Sequence, residues 1–310
     1  MARSGPSGAQ LSSPALRHGT YSIVARDPGT GELGVAVHSH WFSVGPICAW
    51  ARPGAGAVAT QSVADPSYGP RGLDAMASGE AAPVALSRLL AGDDAMAVRQ
   101  VAMIDADGRV GVHTGADCIP YAAHVAGEGF SCQANMMERD TVPVAMAAAF
   151  ARAEGDLAER LVVALEAAEA EGGDVRGRQS AALTVVPARG AAWETEVDLR
   201  VDDHRAPLEE LRRLLGRARA YGLAVEADEL LAAGAHEQAA ALYERAAQLA
   251  PDADELVFWA GLAIAQRDVP AGAERVRQAA EANPNWLVLL DRLSPDFAPA
   301  GADVRRALGR

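Results

Sequence analysis

Thr20-Tyr-Ser-Ile-Val-Ala-Arg26, then Asp27-Pro-Gly-Thr-Gly31, then Leu33-Gly-Val-Ala-Val-His-Ser-His40, is the stretch whose reading decides the fold. Its first and last segments alternate at the strand period. Proline and glycine between them set a tight turn, so residues 20–40 read as a β-hairpin. Working outward, Pro46–Arg52 and Gly56–Ser62 read as two more strands joined by Pro53-Gly-Ala-Gly56, and the four together suggest an antiparallel meander. Helical periodicity follows over Gly69–Ser78 and Ala82–Ala91. Strands return at Arg99–Ile104 and Arg109–Thr114 around Asp105-Ala-Asp-Gly108, with a short one at Gly129–Met136. Helices near Val142–Ala153 and Asp156–Glu171 end at Gly172-Gly173, an expected helix stop. Gln179–Val186 and Glu196–Val201 are the last strands. Blocks of strands and helices in this order predict an α+β fold with helices outside the sheets, not a parallel βαβ repeat.

On the N-terminal side, residues 1–19 hold two arginines, no acids and no periodicity, and lack the apolar core of a secretory signal. They read as a disordered tail or propeptide. On the C-terminal side the pattern after Pro207 is continuously helical. Gly234, Ala239, Tyr243, Ala246 and Pro251 are followed about one repeat later by Gly261, Asp268, Ala273, Ala280 and Pro284. Pro251 and Pro284 lie 33 positions apart, so the region resembles a tetratricopeptide array of about two repeats. A plain helical bundle is the other reading. The expected domains are residues 1–19, 20–205 and 206–310.

Of the 310 residues, 50% are hydrophobic and 22% charged, which suits a globular protein that buries a core without staples. The formal charge of −13 disfavours nucleic acid and anionic membrane surfaces as partners. No run approaches the roughly 20 apolar residues of a membrane span. The three cysteines, Cys48, Cys118 and Cys132, are odd in number and widely spaced, which argues against a disulfide framework and makes the cytoplasm the expected compartment. All 28 basic residues are arginine, so no lysine is present to act as a base or charge clamp.

Several familiar constellations are missing: a Gly-x-Ser-x-Gly elbow, a phosphate loop ending in Gly-Lys, His-Glu-x-x-His, and Gly-x-Gly-x-x-Gly after a strand. His38 and His40 lie two apart on a strand, so both rings are expected on one face. With His113 they are candidate metal ligands, but no carboxylate cluster accompanies them. Lining a polar pocket is the alternative, and no metal or cofactor is expected. Cys48 reads as core. Cys118 and Cys132 lie in a polar neighbourhood near His113 and His124, without a spacing that favours a Cys–His pair. Thr20 opens the first strand and follows glycine. A threonine hydroxyl needs a base beside it, and a free α-amine on the same residue, with a pKa of about 7.7–8.0, can be that base. Gly19-Thr20 is therefore a candidate cleavage site.

Thr20-Tyr-Ser-Ile-Val-Ala-Arg-Asp27, Gly34-Val-Ala-Val37 and Gly56-Ala-Val-Ala-Thr-Gln61 resemble the bacterial domain-of-unknown-function family numbered 1028, as do Asp65-Pro-Ser-Tyr-Gly-Pro70, His113-Thr-Gly115 and Arg178-Gln-Ser-Ala-Ala182. The resemblance covers about residues 20–205. It implies a four-layer αββα sandwich of the N-terminal nucleophile (Ntn) hydrolase type, with a threonine that in typical members directly follows the start methionine. Here 19 residues precede it, so exposure needs a cut after Gly19. Proteasome-like logic further implies His38 and His40 beside Thr20, with His40 or Arg52 standing in for the missing lysine. It also implies Asp174 as a group that orients the amine, although helix capping remains open for that residue. Gln61 ends the fourth strand, where such folds bind an oxyanion, and Asn135 is a further amide donor. Arg178 reads either as an ion-pair partner of an acid such as Asp174 or as a clamp for a substrate carboxylate. The expectation is amide hydrolysis of a small-molecule or peptide substrate by a homo-oligomer, with a protein partner through the C-terminal helices. The competing class is a non-catalytic binding protein.

Overall fold

The structure is a computed structural model that describes residues 17–310. Most of the expected tail or propeptide thus lies outside the described residues. Two compact units are present, one ending at Arg212 and the other spanning Arg213–Arg310. The division falls inside a helix rather than at the expected 205/206.

The first unit holds β1 (Arg17–His18), β2 (Thr20–Arg26), β3 (Leu33–Ser39), a helical turn α1 (Gly45–Cys48), β4 (Ala49–Arg52) and β5 (Gly56–Val63). Helices α2 (Tyr68–Ala77) and α3 (Ala82–Ala91) follow, then β6 (Arg99–Asp105), β7 (Val110–Thr114), β8 (Ala123–Gly127) and β9 (Phe130–Asn135). Helices α4 (Val142–Arg152) and α5 (Leu157–Ala170), strands β10 (Ser180–Val186) and β11 (Val197–Val201), and the start of α6 (Pro207–Ala232) complete it.

All the strand pairs are antiparallel and they form two sheets. One sheet has the order β1-β5-β6-β7 with β4 also on β5; the other runs β11-β10-β3-β2-β9-β8. The expected meander is therefore corrected: β2–β3 and β4–β5 are hairpins of different sheets. Pro46 sits in the first turn of α1, so the expected strand over 46–52 begins only at Ala49. Between the sheets, Val24, Leu33 and Val35 pack on Ala57, Ala59, Ala102 and Ile104. Helices α2 and α3 cover the outer face of the first sheet, where Tyr68, Leu73, Leu86 and Leu89 bury Val101 and Met103. Helices α4 and α5 cover the second. There Leu157 and Leu161 press against Gly34, where a Cβ would lie 2.6 Å from Leu161.

In the second unit, α7 (His236–Leu249), α8 (Asp254–Ala265), α9 (Val269–Ala282), α10 (Asn285–Arg292) and α11 (Gly301–Ala307) follow the rest of α6. Helices α8 and α9 meet at Gly261 and Gly272, where a Cβ on Gly272 would fall 2.4 Å from the Gly261 carbonyl. No helix among the described residues is long and apolar enough to cross a membrane.

Candidate active site

Strands β2 and β3 pair with Thr20 opposite Ser39 and Tyr21 opposite His38. Cross-strand partners share a face, and faces alternate along each strand. Thr20 and Ser39 thus lie on the face that meets the other sheet. Tyr21 and His38 lie on the face that meets α5.

Between the sheets, Thr20 Oγ1 donates to Ser39 Oγ at 3.1 Å, and Ser39 Oγ donates to the Gly19 carbonyl at 2.5 Å. Arg176 Nη2 donates to the same carbonyl at 2.7 Å. The buried Asp174 carboxylate holds Arg176 in turn, accepting from Nη2 at 2.7 Å and Nε at 3.0 Å. It also accepts the main-chain N–H of His40 at 3.1 Å and of Arg176 at 3.0 Å. A Cβ on residue 19 would lie 2.8 Å from Arg176 Nη2 and 2.9 Å from Asp174 Oδ2, so any larger residue would have to displace these side chains. The chain crosses from one sheet to the other at Gly19: His18 pairs with Ser62 of β5, and Thr20 pairs with Asn135 of β9.

Behind Thr20 is a buried ladder of amides. Gln61 Nε2 and Asn135 Nδ2 donate to the Thr20 carbonyl at 3.2 and 3.4 Å. Both also donate to Gln100 Oε1, at 2.7 and 3.0 Å. Gln100 Nε2 reaches Thr114 Oγ1 and the carbonyls of Ala123 and Ala134. Ser22, Gln133 and Ser131 extend the chain. Buried amides need such partners, because each unpaired group would forfeit its hydration without return. The ladder fixes the Thr20 main chain from behind.

Among the described residues, three other than glycine adopt left-handed backbone: Ser43 at φ 52°, Ser62 at φ 71° and Met136 at φ 61°. Ser62 directly follows Gln61, Met136 directly follows Asn135, and Ser43 lies just beyond β3. Each costs of order 1 kcal/mol or more, and such strain gathers at functional sites.

The residues singled out in the sequence divide accordingly. Thr20, Gln61, Asn135 and Asp174 come together. His38 does not join them: it is fully buried on the opposite face, stacked on Tyr21 with ring centroids 4.6 Å apart. Neither of its ring nitrogens has a hydrogen-bond partner among the described residues. Burial pushes its imidazole down to about 4; Glu169 and Asp174 oppose that shift, while Arg178 and His40 add to it. The two-residue spacing from His40 misleads because β3 ends at Ser39. The His40 main chain bonds Asp174, while its half-buried ring donates through Nδ1 to the Arg178 carbonyl at 3.2 Å. His113 pairs with Val101 on the outer face of its sheet and donates to the Met96 carbonyl at 2.8 Å, away from Thr20. Arg178 pairs with Glu169, not Asp174, and Glu169 also accepts the Tyr21 hydroxyl at 2.6 Å. Arg52 pairs with Asp74. Burial pushes the Cys48 thiol up to about 12 and raises Cys118 and Cys132 as well, so none of the three is poised as a thiolate. Among the described residues no group of three His, Cys, Asp or Glu side chains is arranged to hold a metal ion.

Ser39, Gln100 and Arg176 belong to the site and were not singled out. Ser39 was within reach of the hairpin register, which sets it opposite Thr20. Arg176 lies in a loop after Gly172-Gly173, where no periodicity marks it.

A family model described as a family of unknown function, DUF1028, matches residues 20–211. Among solved structures, a crystal structure of a Silicibacter pomeroyi protein assigned to the same family model is 29% identical. The match covers 64% of this chain and 85% of that one, with a TM-score of 0.59. No curated protein matches the chain.

Proposed function

We propose that this chain, which belongs to the DUF1028 family, is an amide-bond hydrolase whose nucleophile is the Thr20 hydroxyl, activated by a cut after Gly19. The observation that carries this reading is the setting of the Gly19–Thr20 peptide bond. Its carbonyl receives a hydroxyl and a guanidinium, the Thr20 hydroxyl bonds that same Ser39, and Asp174 abuts the Gly19 Cα. Helices on the outer face of each of two facing sheets support the four-layer αββα, Ntn-type reading of the first unit. The close α8–α9 approach at two glycines supports a tetratricopeptide-like reading of the second.

With residues 1–19 removed, the Thr20 α-amine borders the space vacated by Gly19, which Asp174 and Arg176 line, and a free α-amine has an ordinary pKa of about 7.7–8.0. It takes the proton of Oγ1 as that oxygen attacks the substrate carbonyl. The substrate carbonyl takes the place of the Gly19 carbonyl, so Ser39 and Arg176 donate to the developing oxyanion. Arg176 supplies the positive charge that no lysine provides. The ammonium returns its proton to the leaving nitrogen as the C–N bond breaks. Water, giving its proton to the amine, then attacks the acyl-threonine ester, and as the acyl C–Oγ1 bond breaks the ammonium returns that proton to Oγ1, which restores the Thr20 hydroxyl and the free amine. Gln61 and Asn135 act as positioning residues, since both donate to the Thr20 carbonyl rather than toward the acyl position.

A second reading, a non-catalytic binding protein, is favoured by one observation: Thr20 is fully buried while residue 19 is attached. Treatment of the purified chain with a β-lactone that acylates N-terminal threonine, followed by peptide mapping, separates the two. A single adduct on Thr20, absent from Thr20→Ala and formed roughly 10²-fold more slowly in Arg176→Gln, is expected of the hydrolase. A chain that begins at Thr20 yet takes no label there would favour the binding protein.

A further inference from the structure

Within the second unit, α6, α8 and the segment before α11 enclose a groove of about 460 Å³. Its walls are apolar: Val225, Trp259, Leu262 and Phe297 line it, and Phe297 is 79% exposed and Val225 59%. Large apolar side chains left in water beside a concavity mark a surface made for a partner. The groove's charged residues are both carboxylates. Asp228 accepts the Tyr243 hydroxyl, and Glu255 accepts the Tyr221 hydroxyl at 3.0 Å. No arginine is among the described residues that line it, although the chain holds 28. Elsewhere in this unit carboxylates meet arginines, as in Arg217–Asp252 and Arg275–Glu244.

We infer that this groove binds a short segment of a partner protein in which an arginine or lysine is flanked by apolar side chains. The apolar flanks cover Trp259, Val225 and Phe297. The cation meets Asp228 and Glu255, whose tyrosine partners hold them in place at the groove wall. The volume suits a few side chains rather than a folded domain. Charge complementarity selects the occupant: a second copy of this chain, at −13, brings like charge, and an acidic segment would set carboxylate against carboxylate. This inference is independent of the chemistry at Thr20.

The test pans a random heptapeptide library against the full chain and measures binding of the enriched peptide, made synthetically, by calorimetry. Enrichment of Arg or Lys next to aliphatic or aromatic residues is expected, with affinity that falls as salt rises. Binding should weaken about tenfold in the Asp228→Asn, Glu255→Gln double variant. It should weaken roughly thirtyfold in Trp259→Ala, as for an aromatic anchor. Val225→Arg changes an exposed position, leaves packing intact and should abolish binding. A consensus without basic residues, or enrichment no greater on wild type than on Val225→Arg, would overturn the inference.

Discussion

A methyl group on Gly19 would need the space now held by Arg176 Nη2 and both Asp174 oxygens, none farther than 3.0 Å from its position. Gly19→Ala should push Arg176 off the residue-19 carbonyl, slow the cut after residue 19, and cost the uncut chain about 1–3 kcal/mol through overpacking. Thermal unfolding and a time course of intact mass check both effects, and no change in either would remove Arg176 from the site. On the other face of the same sheet, the folded state holds His38 neutral down to about 4. In the unfolded chain histidine takes its proton near 6.5. Between those values the unfolded state binds more protons, so stability should fall as pH drops from about 6.5 to about 4, by of order 3 kcal/mol, and His38 should contribute no slope above that window. Urea unfolding across the range checks this, and His38→Phe, which keeps a ring against Tyr21, should lack that part of the slope. Thr20 stands out in the sequence as the residue that opens the first strand after a glycine, whereas Gln61 and Asn135 were marked only through the family resemblance, which implied oxyanion donors rather than donors to the Thr20 carbonyl. Arg176 was not, because what it contributes depends on how a glycine-rich loop folds back onto Gly19.

Strand boundaries were largely legible, and their partnerships were not. Alternation reveals that Thr20–Arg26 and Gly56–Val63 are strands, but nothing local reveals that they belong to different sheets. Short β8 was missed because Ala123–Gly127 is half-exposed, with histidine and glycine in place of an apolar rhythm. Helix α6 shows how composition misplaces a boundary. The chain turns helical at Pro207, yet Leu208 and Leu211 are buried in the first unit, and Arg212 pairs there with Glu159 and Glu166. A chain ending at Ala206 should therefore be less stable than the intact first unit by about 3 kcal/mol or more, at roughly 1.5–3 kcal/mol for each buried leucine. Leu211→Ala in the full chain should show the same trend in urea, and an unchanged midpoint would return the boundary to residue 205.

At the scale of the whole molecule, the first unit carries a closed polar site and the second an open acidic groove, each built from its own residues. The absence of lysine bears on the first. It leaves arginine as the positive group at the Gly19 carbonyl. The sandwich holds Thr20 rigidly, with its carbonyl fixed by two amides and its hydroxyl by Ser39, but an amide nitrogen inside a peptide bond cannot serve as a base. The proposed hydrolase thus depends on one covalent event. The measurement that tests it most directly is the intact mass and N-terminal residue of the purified, folded protein. The expected result is a chain that begins at Thr20, while Thr20→Ala stays folded and takes no β-lactone label. Folded protein that still carries Gly19 and nonetheless forms the adduct, or hydrolyses amides, would contradict the assignment of Thr20 and its amine as the catalytic pair.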